Sequence, residues 1–135
     1  MATIADPPKP PPSRSALAAN PGHEIKIEAG AGRLRVVCNG ETIADSTQTL
    51  VLHETGIPPR HYFPRADVGM DFLRRTDHHT TCPFKGNAAY WSIEAGGETV
   101  ENGAWSYEQP YEEVSEIKGC ISFYPDRVNI LAADP

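Results

Sequence analysis

The sequence predicts a mainly β protein built as one domain. From residue 23 onward, short segments of alternating apolar and polar residues are separated by turn residues such as the Asn39-Gly40 pair. The chain has 135 residues, of which 39% are hydrophobic, which is enough for a modest core but gives no sign of a second domain. We therefore expect a single domain over residues 23–135.

The first 22 residues form a proline-rich segment that we expect to be a flexible tail. Five of the residues from position 7 to position 12 are proline, which removes backbone donors and favours extended conformations. A proline-rich tail can also be the ligand of a partner domain. In that alternative, the protein is an interaction module that acts through its tail.

Several segments have the alternation and the composition of strands. In the segment Leu34–Cys38, Leu34 and Val36 share a face with Cys38, which predicts that this cysteine is a buried core residue. The predicted strands are Glu24–Ala29, Leu34–Cys38, Thr42–Asp45, Thr49–Glu54, Asn87–Ile93, Gly103–Tyr107 and Cys120–Tyr124.

One segment has helical rather than alternating spacing. Val68, Phe72 and Leu73 recur at near-helical intervals within Asp67–Arg75. Gly69 lowers the helix propensity of this segment by about 1 kcal/mol relative to alanine. We nevertheless expect Asp67–Arg75 to form the one short helix of the domain.

The charge of the chain argues against two classes of partner. Nucleic acids and acidic membranes bind clustered Lys and Arg side chains, whereas this chain has a formal net charge of −6. No apolar run approaches the length of a membrane span, and the first twenty residues lack the apolar centre of a secretory signal. We expect a cytoplasmic protein whose partner is a small molecule or another protein.

The cysteines indicate neither a disulfide framework nor a metal site. Cys38, Cys82 and Cys120 are an odd number of widely spaced thiols without a Cys-x-x-Cys pair. We therefore expect reduced thiols, and no cofactor or metal is predicted.

The segment from Thr80 to Trp91 has the composition of a functional site. Cys82 precedes a proline, and Lys85 follows within the turn that leads into an aromatic strand. A nearby Lys85, or a protonated His78 or His79, would lower the pKa of the Cys82 thiol and favour a nucleophilic thiolate. The sequence fixes no general base for Cys82, so a non-covalent binding role and a purely structural thiol stay open.

Glu54 is a candidate ligand or base. Strand alternation places Leu50, Leu52 and Glu54 on one face, so a carboxylate continues an apolar row. A carboxylate in that position must be paired, hydrogen-bonded or protonated, because its desolvation is unfavourable. Alternatively, Glu54 turns into solvent or pairs with Arg60 or Arg65.

The proline-stiffened segment after Glu54 and the aromatic strands provide further candidate binding residues. In an extended segment, Arg60 and Tyr62 share a side, where they offer a guanidinium and a phenol to a ligand. Alternatively, Arg60 lies on the surface and Tyr62 packs in the core. Tyr90, Trp105 and Tyr107 would give a β cavity apolar walls with polar tips.

These motifs resemble a known family. The segment TTCPFKGNAAYW, preceded by PRHYFPRADVGMDFL and followed by AWSYEQPYEEVSEIKGCISFYP, resembles domain of unknown function 427, over most of His23 to Val128. The resemblance implies a β-tent-like fold, in which two antiparallel sheets meet at an angle around a ligand-binding cleft. Several β-tent relatives hold zinc through paired cysteines, which this chain lacks. A nucleotidyltransferase-like label has been attached to the family, but this chain has no glycine-rich phosphate loop or paired metal-binding aspartates.

Our leading hypothesis is that the protein binds a small polar ligand, amphipathic or zwitterionic, in the cleft between the sheets. The proposed cleft is formed by Glu54, Arg60, Tyr62, Cys82, Lys85 and Tyr90, with Trp105 and Tyr107 in its wall. In the alternative hypothesis of an enzyme, Cys82 attacks an electrophile, Lys85 stabilises negative charge, and Glu54 or a histidine moves protons.

Overall fold

The structure is a computed structural model that describes residues 15–133, and it confirms a mainly β fold with two antiparallel sheets. No helix within this range is long and apolar enough to span a membrane. The strands are β1 (Ile25–Ala29), β2 (Arg33–Cys38), β3 (Glu41–Ser46), β4 (Leu50–Glu54), β5 (Ile57–Phe63), β6 (Leu73–Cys82), β7 (Gly86–Ala95), β8 (Glu98–Ser106), β9 (Ile121–Phe123) and β10 (Asn129–Ala133).

The strands form one large and one small sheet. The seven-stranded sheet has the order β1-β4-β5-β9-β8-β7-β6, and the three-stranded sheet has the order β10-β2-β3. Two-residue turns join β2 to β3 and β7 to β8, and both depend on positive φ. Asn39 and Gly40 have φ of 50° and 84°, and Gly96 and Gly97 have φ of 59° and 77°. The predicted Asn39-Gly40 turn is confirmed.

The main core lies between the two sheets. The small sheet contributes Val36, Cys38 and Ile43, which pack with side chains of the large sheet that include Phe63 and Trp91. Cys38 is 2% exposed, which confirms its predicted place in the core. Its burial raises the pKa of its thiol, so this cysteine is a poor nucleophile.

The helix predicted over Asp67–Arg75 is wrong. Single 3₁₀ turns occupy Arg65–Asp67 and Met70–Phe72, and β6 begins directly afterwards at Leu73. Gly69 N–H donates to Ile43 O at 2.8 Å, so tertiary hydrogen bonding holds the segment against β3. Pairing with β7 then gives residues 73–82 the backbone partners that a strand requires.

The proline-containing segment after Glu54 is strand β5. Pro58 and Pro59 lie near its beginning and are exposed, whereas β9 pairs with β5 only at Tyr62 and Phe63. Proline cannot donate to a ladder, and here it occupies the part of β5 that β9 does not pair.

The predicted tail is described only in its last part. Residues 1–14, with the proline run, lie outside the described residues. Ser15 N–H donates to Glu113 Oε2 at 3.2 Å, and Ala16 N–H donates to Pro83 O at 2.9 Å. Residues 15 and 16 therefore contact the turn between β6 and β7 and the segment that precedes β9.

Candidate functional site

The predicted site residues gather on one face of the large sheet. A second hydrophobic cluster covers this face, and none of its members comes from the small sheet. The prediction that the cleft lies between the two sheets is wrong, because the main core fills that space. The buried members of the second cluster are Leu52, Tyr62, Ala88, Tyr90, Trp105, Tyr107, Val114 and Ile117. Cys82 and Tyr124 pack against them.

Strand register explains why three of these aromatic residues share a face. Tyr62 pairs with Ser122, Ser122 pairs with Trp105, and Trp105 pairs with Tyr90. Residues opposite each other in antiparallel strands point to the same side of a sheet. The three aromatic side chains therefore form one row across β5, β8 and β7, which we call the aromatic face.

Tyr62 and Trp105 form the buried centre of this row. Trp105 Nε1–H donates to Tyr62 Oη at 3.2 Å, and their rings meet edge to face with centroids 6.3 Å apart. Burial is the main cause that raises the pKa of Tyr62, so its phenol is neutral at physiological pH.

The Tyr90 side of the row is more polar. Tyr124 Oη donates to Tyr90 Oη at 3.5 Å, and Tyr90 Oη lies 3.0 Å from Thr80 Oγ1. The His78 ring lies edge-on to Tyr90, with ring centroids 4.6 Å apart. The ring centroids of Tyr124 and Trp105 are 4.5 Å apart. Hydroxyl groups thus follow one another along an otherwise aromatic surface.

Arg60 lies on the same face as Tyr62, as predicted. Its pairing with Leu52 points its side chain toward the second cluster, and its guanidinium carbon is 5.9 Å from the centre of the Trp105 ring. The side chain is half-buried. Within residues 15–133, no carboxylate forms an ion pair with Arg60, whereas Arg65 pairs with Glu108 at 2.7 Å.

Glu54 and Lys85 form a buried ion pair at one end of the aromatic face. Their side chains are 3% and 11% exposed, and Lys85 Nζ donates to Glu54 Oε1. His23 Nε2–H donates to the other carboxylate oxygen, Oε2, at 2.7 Å. The expected partners of Glu54, Arg60 or Arg65, are therefore not the ones observed.

His23 is also held by the turn that carries Lys85. Its ring stacks on Phe84 with centroids 3.9 Å apart and an interplanar angle of 15°. His23 precedes β1, whereas Phe84 joins β6 to β7, so this contact connects the two edge strands of the large sheet. His23 is not among the predicted site residues, because nothing in the sequence relates it to a carboxylate 31 residues away.

Cys82 and Tyr107 complete the set of predicted residues. Cys82 is half-buried against the second cluster, and Tyr107 is 6% exposed, with its ring 5.9 Å from Lys85 Nζ. Burial is the main cause that raises the pKa of Tyr107, followed by the nearby Tyr62 and Cys82. Tyr124 is also absent from the predicted site residues, although alternation places it on the same side as Ser122.

A family model described as a domain of unknown function (DUF427) matches residues 26–134 of the chain. No protein with a curated description matches the chain.

Proposed function

The chain belongs to the domain of unknown function 427 family, and we propose that it binds a small organic anion at the aromatic face. The proposed ligand has an anionic group, which Arg60 holds, and an apolar body, which the aromatic side chains hold. A cation held against aromatic walls with polar tips is typical of sites for such amphipathic anions.

The observation that supports this proposal best is the position of Arg60. Its guanidinium is half-buried against Trp105, and no carboxylate within the described residues pairs with it. A partly desolvated charge without a counterion is unfavourable, and a bound carboxylate or phosphate would relieve that cost. The planar guanidinium suits either group, because it can donate two parallel hydrogen bonds.

The aromatic residues around Arg60 would contact the body of the ligand. Tyr124 lies tilted against Trp105, and Tyr90 adds a hydroxyl that is already bonded to Tyr124 and close to Thr80. Planar or branched apolar groups pack well on such ring faces.

The charges at Glu54 favour an anion over a zwitterion. Both carboxylate oxygens of Glu54 accept hydrogen bonds, one from Lys85 and one from His23. A cationic group of a ligand would have to displace one of these partners. Arg60 is therefore the charged group of the site that is left to bind a ligand.

The same contacts do not favour the enzyme hypothesis. In that hypothesis, Lys85 activates the Cys82 thiol. In the structure, Lys85 is hydrogen-bonded to Glu54 instead, and His23 is also hydrogen-bonded to Glu54. A nucleophilic role of Cys82 stays a prediction without a contact that supports it.

Replacing Arg60 tests the proposal. We expect Arg60→Gln to bind phenylacetate at least about tenfold more weakly than the unchanged protein, because a hydrogen bond to a charged group contributes about 1.5–3 kcal/mol. Isothermal titration calorimetry measures both affinities.

The matched control is Arg33→Gln, which removes the same charge from an arginine of the small sheet that pairs with Asp45. Its affinity for phenylacetate should be close to that of the unchanged protein. Equal weakening of phenylacetate binding in both variants would indicate a general charge effect and contradict the proposed site. An unchanged affinity of Arg60→Gln for phenylacetate would also contradict it.

A further inference from the structure

Residues 15–23 cross the place where the two edges of the large sheet meet. They precede β1 at one edge, yet they are attached at two points to the turn that joins β6 and β7 at the other edge. Ala16 N–H donates to Pro83 O at 2.9 Å, and the His23 ring stacks on Phe84 with centroids 3.9 Å apart. We call residues 15–23 the strap, because they are fastened near both of their ends.

The part of the strap between its two attachments makes few contacts with the rest of the domain. No residue of the strap belongs to either hydrophobic cluster of the described chain, and residues 18–22 are exposed. Hydrogen bonds inside the strap close local turns, such as the one from Ala19 N–H to Ala16 O at 3.2 Å. Ser15 N–H adds a bond to Glu113 Oε2, also at 3.2 Å. A segment with so little buried apolar surface opens at a low cost in free energy.

Space lies beside the strap as well. A cleft of about 520 Å³ is lined by Leu17 and Ala18 of the strap and by Glu112 and Glu113 of the segment before β9. The strap therefore stands off from this segment instead of packing tightly against it.

The chain is fixed directly after the strap. Glu24 N–H donates to Thr55 Oγ1 at 2.9 Å, and Thr55 N–H donates to Glu24 O at 3.0 Å. Pairing of β1 with β4 then begins at Ile25. An opening strap would therefore turn about the residues just before Glu24.

Both attachments of the strap adjoin Cys82. The carbonyl that accepts from the strap belongs to the next residue along the chain, and the stacked phenyl ring belongs to the one after that. Cys82 is half-buried against the second cluster. His23 also occupies one oxygen of Glu54, whose other oxygen accepts from Lys85. Detachment of the strap would thus uncover the thiol and the buried ion pair together.

We propose that the strap opens as one unit and thereby controls access from solvent to the Cys82 end of the aromatic face. In the closed form, His23 is bonded to Glu54 and Ala16 to Pro83. In the open form, both contacts are broken. This inference goes beyond the proposed function, because it concerns a different part of the aromatic face from Arg60 and its test needs no ligand.

Alkylation of Cys82 by iodoacetamide reports on the open form, and mass spectrometry resolves it from the reaction of Cys38 in the main core. We expect Cys82 to react at least about tenfold faster in His23→Ala than in the unchanged protein, because a hydrogen bond to a charged group no longer holds the strap closed. Cys38 should keep its rate. The matched control is His53→Ala, which removes a similar but exposed hydrogen bond to Glu28 at 2.8 Å and should leave both rates unchanged.

A second variant, Ala16→Pro, removes the other attachment without changing a charge near Cys82, because proline has no N–H to donate. If the strap opens as one unit, Cys82 reacts faster in this variant too, whereas an effect on thiol ionisation alone would be confined to His23→Ala. An unchanged rate at Cys82 in either variant would overturn the inference. An equal acceleration at Cys38, or in His53→Ala, would also overturn it, because the opening would then not be confined to the strap.

Discussion

At the scale of single residues, the Glu54 carboxylate connects the site with the stability of the fold. It is buried at the end of β4, where Lys85 and His23 occupy its two oxygens. The sequence already required a partner for it, because Glu54 continues the apolar row of Leu50 and Leu52. Which cation supplies that partner depends on tertiary structure, since Lys85 is 31 residues away.

Removing Lys85 should therefore destabilise the protein more than the loss of a surface lysine would. We expect Lys85→Met to lower the free energy of unfolding by about 3 kcal/mol, because Glu54 would keep a buried charge with His23 as its remaining partner. Urea denaturation followed by Trp fluorescence measures this change.

The double variant Glu54→Gln, Lys85→Met provides the control. Replacing both members of a buried ion pair by uncharged residues of similar volume is often nearly neutral. We expect the double variant to recover most of the lost stability. A loss in the single variant as small as that of a surface ion pair, below about 1 kcal/mol, would contradict this account of the pair.

At the scale of elements, the turn between β7 and β8 connects the two sheets. Asn39 Nδ2 donates to Ala95 O at 3.2 Å, and Gly96 N–H donates to Glu41 Oε2 at 2.7 Å. A Cβ atom at Gly96 would lie 2.3 Å from Asn39 O, whereas one at Gly97 would have no neighbour within 4 Å. Of the two glycines in this turn, only Gly96 therefore combines a positive φ with close approach to another backbone.

This difference predicts unequal effects of alanine at the two positions. Both substitutions are disfavoured by positive φ, which costs about 1–2 kcal/mol for a non-glycine residue. Gly96→Ala should lower the free energy of unfolding further than Gly97→Ala, because it also forces the two turns apart. Chemical denaturation of both variants tests this, and equal losses would show that the contact between the turns contributes little.

Strand alternation predicted the parts of the site that depend on local geometry. It placed Arg60 on the same side as Tyr62, and the register of β4, β5 and β9 agrees. It failed where partners far along the chain decide the conformation. Residues 73–82 become a strand because β7 pairs with them, and His23 joins the site through a stack with Phe84.

At the scale of the whole molecule, the large sheet curls until its edges approach each other. Its edge strands are β1 and β6, yet His23 before β1 stacks on Phe84 after β6, and Glu54 of β4 pairs with Lys85. The aromatic face lies inside this curl, on the side away from the small sheet. This arrangement explains how the central strands of the large sheet carry a hydrophobic cluster on each face.

The central claim is that a ligand binds inside the curl and not in the core between the sheets. The two tryptophans report on the two sides, because Trp105 lies on the aromatic face and Trp91 packs in the main core. The most direct measurement is a titration with phenylacetate followed by the indole N–H signals of both residues in a two-dimensional NMR spectrum. We predict that the Trp105 signal shifts progressively while the Trp91 signal stays in place, and a shift confined to Trp91, or none in either, would contradict the claim.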